Sequence, residues 1–250
     1  MSIAVPALIA GLLVLSTHVP LGIQVLNRGI VFIDLAVAQI AGIGVILADQ
    51  FGWEAHGWAV QVAALAAALA GALLLNFTEK LWPEVQEAVI GVVFVLAASA
   101  APILLAENPH GGEQLKDLLV GQILWVRLDA LLWSAAAYAG VLIAWFGFRG
   151  HIGRAGFYLL FACAVTVSVQ LVGLYLVFAS LIVPSLATRT VNRNRLACAY
   201  GVGIAGYAAG LLVSIATDVP AGPVIVWTLA LCASGFAAFG AVFAGPAGQT

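Results

Sequence analysis

The chain has 250 residues, of which 64% are hydrophobic and only 8% are charged, and its net charge is −2. Because an average soluble domain has about 25% charged residues, this composition excludes an ordinary soluble domain and predicts an integral membrane protein. The nearly balanced charge provides no basic field for nucleic acid. The three cysteines lie in apolar segments without ligand-like spacing, and they indicate neither disulfides nor a metal cluster.

Long apolar segments follow one another along the chain, separated by short polar breaks. A membrane-spanning helix needs about 20 mostly apolar residues, and the first segment lacks the basic start and cleavage site of a signal peptide. We therefore expect an all-α polytopic helical bundle of about eight or nine spans, forming one transmembrane domain over residues 1–250. The predicted spans lie near 3–25, 29–49, 57–77, 88–106, 128–148, 155–171, 174–190, 196–217 and 222–244.

In the first quarter of the chain, the stretch IDLAVAQIAGIG places Asp34 and Gln39 among apolar and small residues. A carboxylate at membrane depth costs about 2.5–3.5 kcal/mol, so Asp34 indicates either an ion path or an anchor that reaches the nearby interface at Arg28. Gln39 lies deeper, as does Gln170, and each amide is either a ligand or a hydrogen-bonded contact between helices. Five residues of regular helix separate Asp34 and Gln39 by about 140°, so they should not share one ion.

The segment AENPHGGEQLKD, between the fourth and fifth predicted spans, collects polar residues that suit a cation. They are Glu107, His110, Glu113 and Asp117. A histidine with carboxylates can bind a hard or borderline cation, but solvated loops often carry this mixture without binding anything. We therefore predict an exposed loop. The sequence contains no Walker-type phosphate loop and no catalytic triad candidate, so we expect a chain that is not itself an enzyme.

The stretch 155–190 is too long for one untilted helix and short for two, and its sequence QLVGLY favours a break around Gly173. Arginines flank the stretch at positions 149, 154, 189, 193 and 195. The positive-inside rule places both clusters in the cytoplasm, which requires two short crossings or one re-entrant hairpin. The same rule places the N-terminus outside and the C-terminus inside.

Five segments occur in an order that resembles the membrane permeases of the zinc/manganese/iron-type ABC importers. They are GIVFIDLAVAQIAGIG, EAVIGVVFVLA, DLLVGQILWV, LVGLYLVFASLIVPSLATR and DVPAGPVIVWTLAL. The resemblance covers nearly the whole chain. It implies a homodimeric, multi-pass permease of the cell inner (plasma) membrane, driven by a separate ABC ATPase and supplied by a soluble metal-binding protein. The implied cargo is a divalent metal ion, zinc or manganese, with no cofactor bound by this chain.

The resemblance also identifies where this chain departs from the family pattern. Gln39 occupies the position of a family histidine, and Gln122 stands where the family often has aspartate, so the path is expected to be lined by Asp34 and Gln39. The usual acidic coupling helix is replaced by GFRGHIGRAGF, whose Arg149, His151 and Arg154 are candidates for contact with the ATPase or simple positive-inside anchors. Two alternatives remain: an ATP-independent channel or secondary carrier, and a same-family permease whose cargo is not a bare metal ion.

Overall fold

The computed structural model describes residues 4–53, 57–106, 108–148 and 151–244, and within those ranges it contains helices and no strand. The predicted all-α membrane bundle is therefore confirmed. The ten α-helices are α1 (Ala4–Arg28), α2 (Ile33–Gln50), α3 (Trp58–Leu81), α4 (Gln86–Leu104), α5 (Gly111–Val120), α6 (Leu128–Gly147), α7 (Arg154–Val172), α8 (Leu174–Ala187), α9 (Arg195–Thr217) and α10 (Ala221–Ala244).

Eight of these helices are long and apolar enough to cross a membrane, and α5 and α8 are the two that are not. The stretch 155–190 is divided unequally at Gly173, because α7 has 19 residues and α8 has only 14. At 1.5 Å per residue, α8 is about 21 Å long, which is shorter than a hydrocarbon core of about 30 Å. Within the stretch 155–190, only α8 is therefore too short to cross the hydrocarbon core as a straight helix.

Close approach between helices depends on small residues, as is typical of membrane bundles. Helix α1 packs on α8 and α9: Gly22 faces the backbone of Leu181, and Gly11 faces the ring of Tyr207. Helix α2 packs on α3 in the same way, where Gly44 meets the backbone of Ala63. A methyl group at any of these three glycines would overlap its neighbour, so the sequence permits this spacing only because the side chain is absent.

Helix α5 begins in the segment that the sequence predicts as a loop, and that prediction is wrong for residues 111–117. The helix is amphipathic: three leucines are half-buried, while Glu113, Lys116 and Asp117 are exposed. The leucines are Leu115, Leu118 and Leu119. Apolar residues spaced three and four apart lie on one face of a helix, so this face packs on the bundle.

Two glycines join the end of α5 to the break between α7 and α8. Gly121 has φ 68° and ψ 174°, and Gly173 has φ 83° and ψ 160°, a region of backbone space that is essentially restricted to glycine. The two backbones touch, because a methyl group on either glycine would overlap atoms of the other residue or its neighbour. The contact fixes α5 against the start of α8.

Candidate functional site

Asp34 lies in the first turn of α2 and is completely buried. Neither of its carboxylate oxygens has a hydrogen-bond partner of good geometry in the described structure, although the backbone N–H groups of Asp34 and Leu35 lie close enough to stabilise the charge. Glu87 is an acidic neighbour whose negative charge would repel that of Asp34. A buried, unpaired carboxylate is costly, so this position is unlike an anchor that reaches the membrane interface.

Glu87 lies in the first turn of α4 and is half-buried beside the start of α2. Its Oε1 accepts a hydrogen bond of 3.2 Å from the backbone N–H of Phe32, while its Oε2 is buried without a partner. A carboxylate at a helix N-terminus stabilises the unpaired N–H groups there. Sequence reasoning missed Glu87 as a site residue, because only the packing of α4 on α2 brings it next to Asp34.

Gln39 lines a groove of about 640 Å³ on the side of the bundle, which we call the α2–α8 groove. The lining is apolar except for the Gln39 amide and the Tyr175 hydroxyl, and the neighbours of Gln39 and Tyr175 there are Leu35, Phe94, Ala98, Leu115, Leu119, Leu174, Phe178, Ala179, Val183, Pro223, Val226 and Trp227. Asp34 does not line the groove. Because α2 is helical from Ile33 to Gln50, Asp34 and Gln39 face different surroundings.

An aromatic stack lies beside the groove at the start of α2. The rings of Phe32 and Phe178 lie 6.4 Å apart between centroids and are nearly parallel, with an angle of 8°. Phe178 lines the groove, and the backbone N–H of Phe32 is the group bonded to Glu87. Leu35, the residue after Asp34, also lines the groove. The two carboxylates therefore belong to the part of α2 and α4 next to the groove, but neither of them lines it.

The other polar residues singled out in the sequence do not come together in one site. Gln170 and Gln122 are both exposed, and His110 and Glu113 are an exposed pair 4.0 Å apart. Asp117 is exposed on α5, and Glu107 lies outside the described residues. Among the residues that the structure describes, no group of three histidine, cysteine, aspartate or glutamate side chains could hold a metal ion.

The three candidates for contact with an ATPase occupy different settings. Arg149 lies outside the described ranges, and His151 is exposed in the turn before α7. Arg154 begins α7, and its Nε lies 3.5 Å from Oε1 of Glu79, near the end of α3. Because the Arg154 side chain is 46% exposed, it ties α7 to α3 and still presents part of its surface to the outside of the bundle.

His18 is a buried polar residue that sequence reasoning also missed. It lies in the interior of α1 with no exposed surface, and its Nδ1 is 3.0 Å from the carbonyl oxygen of Val14. Its Nε2 has no partner within the described structure. The sequence could have indicated this residue, because STHV places a titratable histidine well inside the first predicted span.

The family described as the ABC 3 transport family matches over residues 1–152 and 146–239, whereas no curated protein matched. The fold is similar to PsaBC from Streptococcus pneumoniae in complex with Fab, with a TM-score of 0.74, 19% identity, and coverage of 94% of this chain and 89% of that one. It is also similar to an inward-facing metal-chelate type ABC transporter, with a TM-score of 0.65, 17% identity, and coverage of 97% and 86%.

Proposed function

Because the chain belongs to the ABC 3 transport family, we propose that it is the membrane permease of an ATP-driven importer for divalent metal ions, zinc or manganese. The observation that carries the proposal is the placement of Asp34. It is a buried carboxylate without a side-chain partner, and the next residue along α2, Leu35, lines the α2–α8 groove. Ionisable residues inside a membrane bundle generally mark an ion pathway.

We propose that the groove becomes a closed path when two copies of the chain associate. On a single chain it is open along one side and lined by apolar side chains, so a second copy would complete its wall. A path between the two copies would expose the Gln39 amide to the cargo. Alternating access would follow when ATP binding at partner subunits moves the helices.

The proposed partners are an ABC ATPase on the cytoplasmic side and a soluble metal-binding protein on the other side of the plasma (inner) membrane. The connection from α6 to α7, with Arg149, His151 and Arg154, is the proposed contact with the ATPase. The ion pair between Arg154 and Glu79 supports this assignment, since it would transmit movement of that connection to α3 as well as to α7.

The test is co-expression of the chain with an ABC ATPase and purification of the complex, followed by uptake of radiolabelled zinc and manganese into proteoliposomes. We expect uptake with ATP and no uptake with a non-hydrolysable analogue. Equal uptake with and without ATP would contradict the importer and identify an ATP-independent channel or carrier. Failure of any ATPase to co-purify, in native membranes as well, would contradict the proposed partner.

A second candidate function is transport of a metal chelate on the same fold. The α2–α8 groove is large for a bare ion, at about 640 Å³, and its polar groups are an amide and a hydroxyl in place of charged ligands. Such neutral groups donate and accept hydrogen bonds and suit an organic cargo. Uptake of labelled metal that requires an added chelator would favour this candidate over the bare ion.

A further inference from the structure

Gln86, the first residue of α4, has a buried side chain that is bonded to two other helices. Its Nε2 donates a hydrogen bond of 2.9 Å to the carbonyl oxygen of Leu75, and its Oε1 accepts one of 3.1 Å from the hydroxyl of Thr78. Both partners belong to α3. The same Nε2 lies 3.4 Å from the hydroxyl oxygen of Tyr158, on α7. A buried amide is stable only with such partners, so the start of α4 is fixed to α3 and to α7.

The start of α7, directly after the α6–α7 connection, contacts three helices at once. Arg154, Phe157 and Tyr158 are spaced by three and four residues, so they lie on one face of α7. Besides the contact of Tyr158 with α4, Arg154 Nε lies 3.5 Å from Oε1 of Glu79 on α3. The Arg28 guanidinium, at the end of α1, lies over the buried ring of Phe157, 4.3 Å from its centroid. A shift of the α6–α7 connection therefore acts on α1, α3 and α4 together.

The start of α4 also contacts the residue that precedes α2. Glu87 follows Gln86, and its Oε1 accepts the hydrogen bond of 3.2 Å from the N–H of Phe32. The ring of Phe32 stacks on Phe178, which lines the α2–α8 groove. A continuous series of bonded or touching groups therefore leads from Tyr158 on α7 to the edge of the groove. We call Tyr158, Gln86, Glu87 and Phe32 the Gln86 link.

We infer that Gln86 is a positioning residue, through which movement of the α6–α7 connection reaches the groove. This inference rests on the proposed function, because the movement would begin at the ATPase, and it adds the residues that carry the movement to α2. Since the Gln86 amide holds the Tyr158 hydroxyl, displacement of the start of α7 displaces the start of α4. The bond from Phe32 to Glu87 then moves the start of α2 and the aromatic stack with α4.

The competing explanation is that Gln86 only fastens three helices together and has no part in their movement. Contacts in a row do not by themselves establish coupling, so the response at the far end of the link has to be measured. Tyr158→Phe removes the hydroxyl and keeps the ring, and Gln86→Met removes the amide and keeps the length of the side chain. Tyr200→Phe is the matched control, because the Tyr200 hydroxyl donates a hydrogen bond of 2.8 Å to the carbonyl oxygen of Ser16, between α9 and α1.

The experiment follows a bimane fluorophore on Leu35→Cys, in a parent chain whose three native cysteines are replaced by alanine. Leu35 belongs to α2 and lines the groove. Emission is compared for the full chain with its ABC ATPase in lipid nanodiscs, without nucleotide and trapped with ATP and vanadate. We expect a nucleotide-dependent change in the parent and in Tyr200→Phe. It should fall to less than about half in Tyr158→Phe and Gln86→Met, since one lost hydrogen bond shifts an equilibrium at least about twofold. The double variant should match the single variants, because both substitutions break the same contact.

The response is expressed per bound ATPase, so a variant that is merely less stable loses ATPase or unfolds earlier without a smaller response. Uptake of radiolabelled Mn²⁺ per ATP hydrolysed should fall in the same two variants and not in Tyr200→Phe. A response in Tyr158→Phe above about half that of the parent would overturn the inference and leave the importer, as would an equal loss in Tyr200→Phe. A parent chain that binds the ATPase and shows no nucleotide response would contradict the importer, and the Gln86 link with it.

Discussion

Replacing Gly173 by alanine tests the contact between α5 and the break that separates α7 from α8. At φ 83° and ψ 160°, a residue with a Cβ pays about 1–3 kcal/mol in backbone strain. The added methyl group would also lie 2.7 Å from Cα of Gly121 and closer still to its nitrogen. Because these are backbone atoms and cannot rotate away, overpacking adds about 1–3 kcal/mol.

The two costs together predict that Gly173→Ala lowers the free energy of unfolding by about 2–6 kcal/mol. In a chain of this size, about 2 kcal/mol lowers the unfolding temperature by at least about 4 °C. Gly121→Ala should have a similar effect, since it has the same backbone conformation and faces Val172 and Gly173. The measurement is thermal unfolding of each purified variant in the same detergent, followed by intrinsic tryptophan fluorescence.

The control is Gly140→Ala, within α6, where an added methyl group meets no atom within 4 Å. Since alanine is favoured over glycine in a helix by about 0.5–1 kcal/mol, this variant should be unchanged or slightly more stable. If Gly173→Ala and Gly121→Ala unfold at the same temperature as Gly140→Ala, the reasoning is refuted and the two backbones do not touch.

Three further predictions concern other contacts. Arg154→Ala and Glu79→Ala should each destabilise the chain, with a coupling energy of about 0.2–1 kcal/mol in a double-mutant cycle of thermal unfolding, since their pair is partly exposed. Tyr207→Phe should cost about 0.5–1.5 kcal/mol on unfolding, because its hydroxyl lies 2.7 Å from Oγ of Ser180. Gln39→Ala should change the selectivity of metal uptake in competition assays without lowering the unfolding temperature, because Gln39 faces the groove.

The helical architecture could be predicted from the sequence because its signals are local. QLVGLY places a glycine between two apolar runs, and the structure ends α7 and begins α8 around Gly173. Helix α5 could not be predicted in the same way, since its polar residues outnumber its leucines and its apolar face is recognisable only when the bundle lies beneath it. Local sequence patterns therefore predict where the helices lie, but which helices pack against each other becomes clear only in the assembled bundle.

The candidate site shows the same division. Helical geometry predicts that Asp34 and Gln39 face different directions, and the structure places Gln39 in the groove and Asp34 outside its lining. Whether either lies on an ion path stays a prediction. Glu87 is 53 residues after Asp34 in the sequence, so no spacing rule links the two carboxylates. Their meeting depends on the packing of α2 against α4, which a single sequence without an alignment does not reveal.

The interruption at Gly173 has a consequence for how the chain is inserted into the membrane. A broken helix leaves backbone groups without intrahelical hydrogen bonds, and hydrocarbon tolerates such groups only where protein covers them. Gly121, directly after α5, supplies that cover through its own backbone. Since synthesis proceeds from the N-terminus, the end of α5 is made before the α7–α8 break reaches the bilayer. A rearranged chain in which α5 is moved from its place after α4 to the C-terminus would therefore expose the break to lipid until translation finished. We expect that rearranged chain to be degraded to a greater extent than the natural chain.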